Sequence, residues 1–205
     1  TGMYFLIPKR AKQLWLLVAS YYFYMSWNVQ YGCLILLVTA IGYGGGLLLA
    51  QNKVRQGKRR LAVLTGSELV CVGILFFFKY SAFAVQNINE LLRAVGSVRA
   101  LRVPDLILPV GISFYTFQTI GYLIDVWKGK TEAEKSFLRF ALFVSFFPQL
   151  VAGPIERSSS LLAQLREPAE FDYDRVKDGL LLMLYGYFQK VVLAEYLAIA
   201  VDNVY

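Results

Sequence analysis

Residues 137–157 read FLRFALFVSFFPQLVAGPIER, and this stretch decides how the chain folds. Its apolar run from Phe140 to Val151 is shorter than the roughly 20 residues that a membrane-spanning helix needs. Pro148 lies inside the run, lacks a backbone donor and disfavours helix at the residue before it. Non-helical backbone survives at membrane depth only where protein or a wet cavity surrounds it. The stretch therefore predicts a broken or re-entrant segment over residues 137–152, and the alternative is an ordinary spanning helix kinked at the proline.

The composition is that of a membrane protein. Hydrophobic residues make up 57% of the chain and charged residues 17%, whereas soluble domains average about 45–50% and about 25%. The apolar residues occur in long blocks rather than in alternation, which indicates spanning helices. We predict an all-α fold, a polytopic transmembrane helical bundle that forms a single membrane domain over residues 1–205 and is the N-terminal part of a longer chain. The expected spans are about residues 13–27, 31–50, 61–80, 106–127 and 176–203.

Positive charge is concentrated between the apolar blocks. The net charge of +7 comes largely from such links, among them residues 8–12 and 51–60. Residues 28–30, which lie between these two links, are uncharged. The positive-inside rule places both basic links in the cytoplasm, and this placement argues against nucleic acid as a partner. Residues 51–60 could also contact anionic lipid, but the topology signal is sufficient to explain their charge.

Several segments carry local structural signals. Residues 42–46 read GYGGG, which would let a neighbouring helix approach closely. Residues 81–105 have mixed charge with apolar residues at helical spacing, which predicts an amphipathic helix on the outer surface or a loop helix packed on the bundle. A short helix is predicted over residues 158–166, with Ser158 or Ser159 as its cap. Asp172 or Asp174 is expected to start a long final helix.

A stripe of small and polar residues runs along the predicted span 106–127. Its members recur at spacings of four and three, so they share one helical face; they are Gly111, Tyr115, Gln118, Tyr122 and Asp125. A face that meets lipid should be apolar. The stripe therefore indicates either the wall of a cavity or contact with a polar partner.

Two stretches carry a resemblance to a known family. They are LPVGISFYTFQTIGYLIDVWKGK at residues 108–130 and FFPQLVAGPIER at residues 146–157. Both resemble the membrane-bound O-acyltransferase superfamily, and more closely its bacterial branch that O-acetylates alginate and other exported polysaccharides. The related branch that transfers D-alanine to teichoic acids is the alternative. The resemblance extends from Pro8 to the last residues of the chain.

The resemblance implies a reaction and a setting. An acyl group would pass from a donor such as acetyl-CoA or an acyl carrier thioester to a hydroxyl of an exported or cell-surface polysaccharide. The setting would be the bacterial cytoplasmic membrane, with lipid around the protein and a periplasmic or surface acetylation protein as a partner. The family's general base is a histidine on a later segment, and this chain contains no histidine. No catalytic residue, metal ligand or bound cofactor is therefore predicted within the chain, which should be inactive alone.

The resemblance also implies which residues shape the reaction chamber. The positions that match the family's motifs are Gly111, Ser113, Gln118, Asp125, Pro148, Gln149, Gly153, Pro154 and Glu156. The stripe adds Tyr115 and Tyr122 to the candidates. By themselves these residues form no catalytic constellation. A transporter or channel, which also uses discontinuous helices, and a scaffold that only docks partners are the competing functions, and the chain shows no internal repeat that favours the transporter.

Overall fold

The computed structural model describes residues 2–26, 28–51, 57–96, 101–103, 108–154, 156–167 and 169–202. These residues form helices and no strand, which confirms the all-α prediction. The helices are α1 (Gly2–Leu6), α2 (Lys9–Met25), α3 (Val29–Ala50), α4 (Lys58–Ala94), α5 (Ile112–Trp127), α6 (Phe137–Ser145), α7 (Phe147–Ala152), α8 (Ser158–Arg166), α9 (Tyr173–Phe188) and α10 (Glu195–Asp202), with a π-helical turn (Gln189–Ala194) between the last two. Two compact units form, one from Leu6–Pro168 and the other from Thr1–Phe5 with Ala169–Tyr205.

Three helical stretches in the described part of the chain are long and apolar enough to cross a membrane. They are Val29–Ala50, Lys58–Ala94 and Tyr173–Ile199. The first two lie in the larger unit and the third in the smaller one. These stretches confirm a polytopic membrane protein, because each can cover the roughly 30 Å of bilayer hydrocarbon.

Helix α4 differs from its prediction. The sequence places a span over residues 61–80 and a separate amphipathic helix from residue 81, but α4 runs without interruption over Lys58–Ala94, 37 residues. At the helical rise this is about 55 Å, so the helix is longer than the hydrocarbon layer is thick. The reason lies in the sequence: residues 74–95 contain neither glycine nor proline, so nothing ends the helix before Gly96, which has φ of 79°.

Helix α5 begins later than predicted. The expected span covers residues 106–127, whereas α5 starts at Ile112; residues 104–107 lie outside the described part of the chain. Gly111 precedes the helix with φ of 74°, a left-handed conformation that favours glycine and is incompatible with continuing a right-handed helix.

The predicted break in residues 137–152 is confirmed, and the kinked continuous helix is wrong. Helix α6 ends at Ser145, Phe146 is extended out of the helix with ψ of 104°, and α7 begins at Phe147. The expectation that helix is disfavoured at Phe147 is also wrong. Pro148 occupies the first turn of α7, where the absence of a backbone N–H costs no hydrogen bond.

Helix α3 lies at the centre of the larger unit, where it packs against α2, α4, α5 and α6. Its glycines allow the close approach that the sequence predicts. A methyl group added at Gly46 would lie 2.6 Å from Tyr122 Oη, and one at Gly42 would collide with Thr119. Gly44, in contrast, faces open space.

The two predicted caps have different outcomes. In the smaller unit, Asp172 caps α9 as predicted, since its Oδ1 accepts a hydrogen bond from Arg175 N at 3.1 Å. In the larger unit, α8 covers residues 158–166 as predicted, but Arg157 occupies the cap position without a side-chain cap. The expectation of a serine cap is wrong because the Ser158 hydroxyl bonds elsewhere, as described below.

Candidate functional site

The helix break releases two backbone groups that a continuous helix would pair with each other, the Phe143 carbonyl and the Phe147 N–H. Each is bonded instead to a side chain from another helix. Gln118 Nε2 of α5 donates to Phe143 O at 3.0 Å, and Phe147 N donates to Ser20 Oγ of α2 at 3.4 Å. Gln118 is 4% exposed and Ser20 0%, so both side-chain partners are buried. The break is therefore a built feature, because buried backbone groups are costly unless they are paired.

A cavity of about 320 Å³ lies beside the C-terminal half of α5. Four of the predicted chamber residues line it, namely Gln118, Tyr122, Asp125 and Glu156. The other lining residues are Gly121, Ile124, Lys130, Arg157, Ser158 and Ser159. The polar end of the stripe on α5 thus faces this space together with the start of α8.

Asp125 holds together the segments that line this cavity. Its Oδ2 accepts a hydrogen bond from Ser158 Oγ at 2.9 Å, and its backbone carbonyl accepts from Lys130 N at 2.9 Å. Ser158 is 2% exposed, and its hydroxyl also lies 3.5 Å from Thr131 Oγ1. These bonds hold the end of α5, the following loop and the start of α8 together.

The chemistry of the cavity is that of binding and orientation. Its charged lining residues are two acids, Asp125 and Glu156, and two bases, Lys130 and Arg157. The Asp125–Ser158 pair resembles part of a nucleophilic site, but the chain contains no histidine that could act as the general base. The lining can therefore position polar groups of a substrate.

The rest of the predicted stripe lies in packed contacts. A methyl group on Gly111 would lie 3.1 Å from the Leu150 carbonyl oxygen of α7. Tyr115 is 0% exposed, and its ring packs edge-on against Tyr24 with centroids 6.2 Å apart. Ser113 is half-buried and does not line the cavity.

The chain turns back on Gln149 directly after α7, at Gly153 and Pro154. Gln149 Nε2 donates to Pro154 O at 2.9 Å, and a methyl group on Gly153 would lie 2.8 Å from the Gln149 Cα. Pro148 and Pro154 are exposed and lie outside the cavity lining. Glu156 is the member of the PQLVAGPIE motif, residues 148–156, that reaches the cavity.

Sequence reasoning missed Glu134, which stands in a loop that looks solvated. It is 2% exposed, and its carboxylate lies 3.1 Å from Arg139 Nη2 and 3.4 Å from Arg166 Nε. Its own N–H donates to Tyr122 Oη at 3.0 Å. Glu134 thus ties α6 and α8 to a wall residue of the cavity. The sequence signal was Arg139 in an otherwise apolar helix, since a charge there requires a partner.

The chain is similar in sequence to several curated proteins, but it matches no family profile and no solved structure. No protein-family profile matches the chain, and no solved structure matches it significantly. It is 37% identical over 202 residues to the "Probable alginate O-acetylase AlgI" of Pseudomonas syringae pv. tomato, in an alignment that covers 98% of this chain and 38% of that protein. The chain is similar to O-acetyltransferases.

Two further relatives agree with this. The protein of the same name from Azotobacter vinelandii is 37% identical over 203 residues, with 98% of this chain and 40% of the relative covered. The "Peptidoglycan O-acetyltransferase" of Helicobacter pylori is 32% identical over 223 residues, with 94% and 41% covered. The chain spans about two fifths of the length of these curated relatives.

Proposed function

We propose that the full protein is a membrane O-acetyltransferase of the membrane-bound O-acyltransferase superfamily. It would transfer acetyl groups to hydroxyls of an exported or cell-surface polysaccharide. The single observation that carries this proposal is the similarity along 98% of the chain to a protein named as an alginate O-acetylase. The relative named for peptidoglycan supports a glycan acceptor rather than a protein or lipid acceptor.

The chain's own part in the reaction is to build one wall of the reaction chamber. Gln118, Tyr122 and Asp125 line the cavity from α5, and the capped break in α6–α7 lets non-helical backbone lie beside them. The donor would be acetyl-CoA or an acyl carrier thioester, and the acceptor hydroxyl would lose its proton to a histidine on a segment beyond this chain. Orientation by fixed polar groups is a large part of such catalysis, because it replaces a bimolecular encounter by a positioned one.

The proposed setting is the bacterial cytoplasmic membrane, with residues 8–12 and 51–60 on the cytoplasmic side. The contact between the start of α4 and the end of α5 supports this arrangement, since Arg60 Nη2 donates to Val126 O at 3.1 Å. The basic first turn of α4 and the charged loop after α5 therefore share one side, as the positive-inside rule requires. A periplasmic or surface protein would receive or present the polymer.

Deletion of the gene tests the proposed function. The exported polysaccharide is collected, and the acetate and D-alanine that mild alkali releases are both quantified. We expect acetate to fall and to return when the full-length gene is supplied, with D-alanine unchanged. Unchanged acetate would overturn the acetyltransferase, and loss of D-alanine alone would favour the teichoic-acid branch instead.

A further inference from the structure

A second cavity lies where α4 begins and α5 ends. Its volume is about 470 Å³, and it is lined by Gly57, Lys58, Arg60, Leu61, Trp127 and Lys128. Three of these six residues are cations, and within the described part of the chain no carboxylate contributes to the lining. Like charges that converge on one space repel each other unless an anion lies among them. The cavity therefore has the electrostatics of an anion site.

The guanidinium of Arg60 is fixed by one hydrogen bond and retains an N–H donor that is unpaired in the part of the chain that the structure describes. One guanidinium nitrogen, Nη2, bonds Val126 O at 3.1 Å, which fixes the group at the C-terminal end of α5. Its Nε is buried and has no hydrogen-bond partner among the described residues. A guanidinium carries five N–H donors in a planar fork that suits phosphate oxygens. The fixed position and the unused donor both fit a bound phosphate group.

The first turn of α4 adds to the positive potential. It carries no acidic residue, although the partial positive charge of a helix N-terminus favours acids there. Its three residues are instead Lys58, Arg59 and Arg60. An anion beside this turn would offset the electrostatic repulsion among these basic side chains.

The apolar part of the lining distinguishes a lipid from a soluble phosphate. Leu61 is 50% exposed, and further along α4 the apolar side chains of Leu69 and Val72 are 71% and 45% exposed. Trp127, opposite, is half-buried, and tryptophan favours the headgroup level of a bilayer. A phosphate ester without acyl chains would leave these apolar side chains exposed, whereas the acyl chain of a phospholipid would pack on them.

We propose that this cavity binds an anionic phospholipid. The headgroup phosphate lies among Lys58, Arg60 and Lys128, and an acyl chain follows Leu61 along α4. Basic pockets between membrane helices bind such headgroups elsewhere. The inference does not depend on the proposed acetyltransferase activity.

Binding to the full-length protein in mild detergent tests the proposal. The probes are short-chain phosphatidylglycerol, short-chain phosphatidylcholine, inorganic phosphate and coenzyme A, and native mass spectrometry gives the affinity for each. The test variant is K58Q/K128Q. The matched control is K79Q/R93Q, which removes two exposed cations from the same helix α4 but none from its first turn or from the cavity lining. A third variant, K58R/K128R, keeps the charge.

We expect phosphatidylglycerol to bind more tightly than phosphatidylcholine. Each cation is worth roughly a fivefold change in affinity at a lipid surface. K58Q/K128Q should therefore bind phosphatidylglycerol roughly 25-fold more weakly, while K79Q/R93Q and K58R/K128R retain it. Equal affinities for the two lipids, or equal losses in the test and control variants, would overturn the proposal. Displacement of phosphatidylglycerol by coenzyme A or phosphate at lower concentration would also overturn it, since the site would then serve a soluble phosphate.

Discussion

The side-chain amide of Gln118 donates to the carbonyl oxygen of Phe143 at 3.0 Å, in the position that the Phe147 N–H would occupy in an unbroken helix. The residue that sequence periodicity places in a polar stripe thus caps the end of α6. A buried polar group is costly without a hydrogen-bond partner, and this one bond satisfies both the Gln118 amide and the Phe143 carbonyl. Gln118 of the stripe therefore stabilises the break between α6 and α7.

Replacement of Gln118 by leucine should destabilise the protein by about 1–3 kcal/mol, because it leaves the Phe143 carbonyl buried without a donor. The measurement is the midpoint of thermal or denaturant unfolding in detergent. Phe114→Leu is the control, since Phe114 lies one turn away on α5 and is 38% exposed. A loss no larger than that of the control would show that the carbonyl has another partner.

Ser20→Ala should cost less than the Gln118 variant, about 0.5–1.5 kcal/mol, because the Phe147 N–H to Ser20 Oγ distance is 3.4 Å and the bond is correspondingly weak. The two bonds support opposite sides of one break, so their effects should couple rather than add. A double-mutant cycle of unfolding free energies measures the coupling. Strict additivity would mean that the two caps act independently.

Glu134→Gln should destabilise the protein by about 2–3 kcal/mol, because the buried carboxylate is the shared partner of two arginines and of the Ser136 N–H. Arg166→Gln should cost less than 1 kcal/mol or so, since that side chain is 46% exposed. Glu132→Gln, two residues away and exposed, is the matched control. If Glu132→Gln and Glu134→Gln unfolded at the same denaturant concentration, the cluster would carry no stability.

Gly46→Ala and Gly44→Ala form a second matched pair in α3. The added methyl at Gly46 would lie 2.6 Å from Tyr122 Oη, whereas at Gly44 it meets nothing within 4 Å. We expect a loss of about 1–3 kcal/mol for Gly46→Ala from overpacking. For Gly44→Ala we expect a neutral effect or a gain of up to about 1 kcal/mol, from higher helix propensity. Equal unfolding midpoints for the two variants would contradict the packing of α3 on α5.

Local signals in the sequence predicted much of the fold. The apolar blocks, the short run around Pro148 and the cap at Asp172 all act within a few residues, so periodicity and backbone chemistry reveal them. The 37-residue length of α4 was missed because lysine at residue 79 and the change in composition after Tyr80 looked like a boundary. A change from apolar to charged residues indicates where the membrane surface lies, but it does not end a helix. A helix ends at glycine, at proline or at a competing cap.

The candidate site was less accessible to sequence reasoning, because its bonds join distant residues. Asp125 and Ser158 are 33 positions apart, and no periodicity connects them. Glu134 sits among charged neighbours and reads as solvated, although Tyr122 and two arginines enclose it. The stripe predicts which face of α5 is polar, and Gln118, Tyr122 and Asp125 on that face line the cavity. The packing of α2 and α7, which no local pattern reveals, divides the face into a buried part and a part beside the cavity.

The most direct test of the proposed chamber compares Asp125→Asn with Glu132→Gln in the full-length protein. Each is expressed in a strain that lacks the gene, and ester-linked acetate per sugar of the exported polysaccharide is measured at matched protein levels in the membrane. We expect Asp125→Asn to lower acetate roughly tenfold or more, because a displaced wall misorients the reacting groups, and Glu132→Gln to leave it at the wild-type level. Full acetylation with Asp125→Asn would contradict the assignment of this cavity to acetyl transfer.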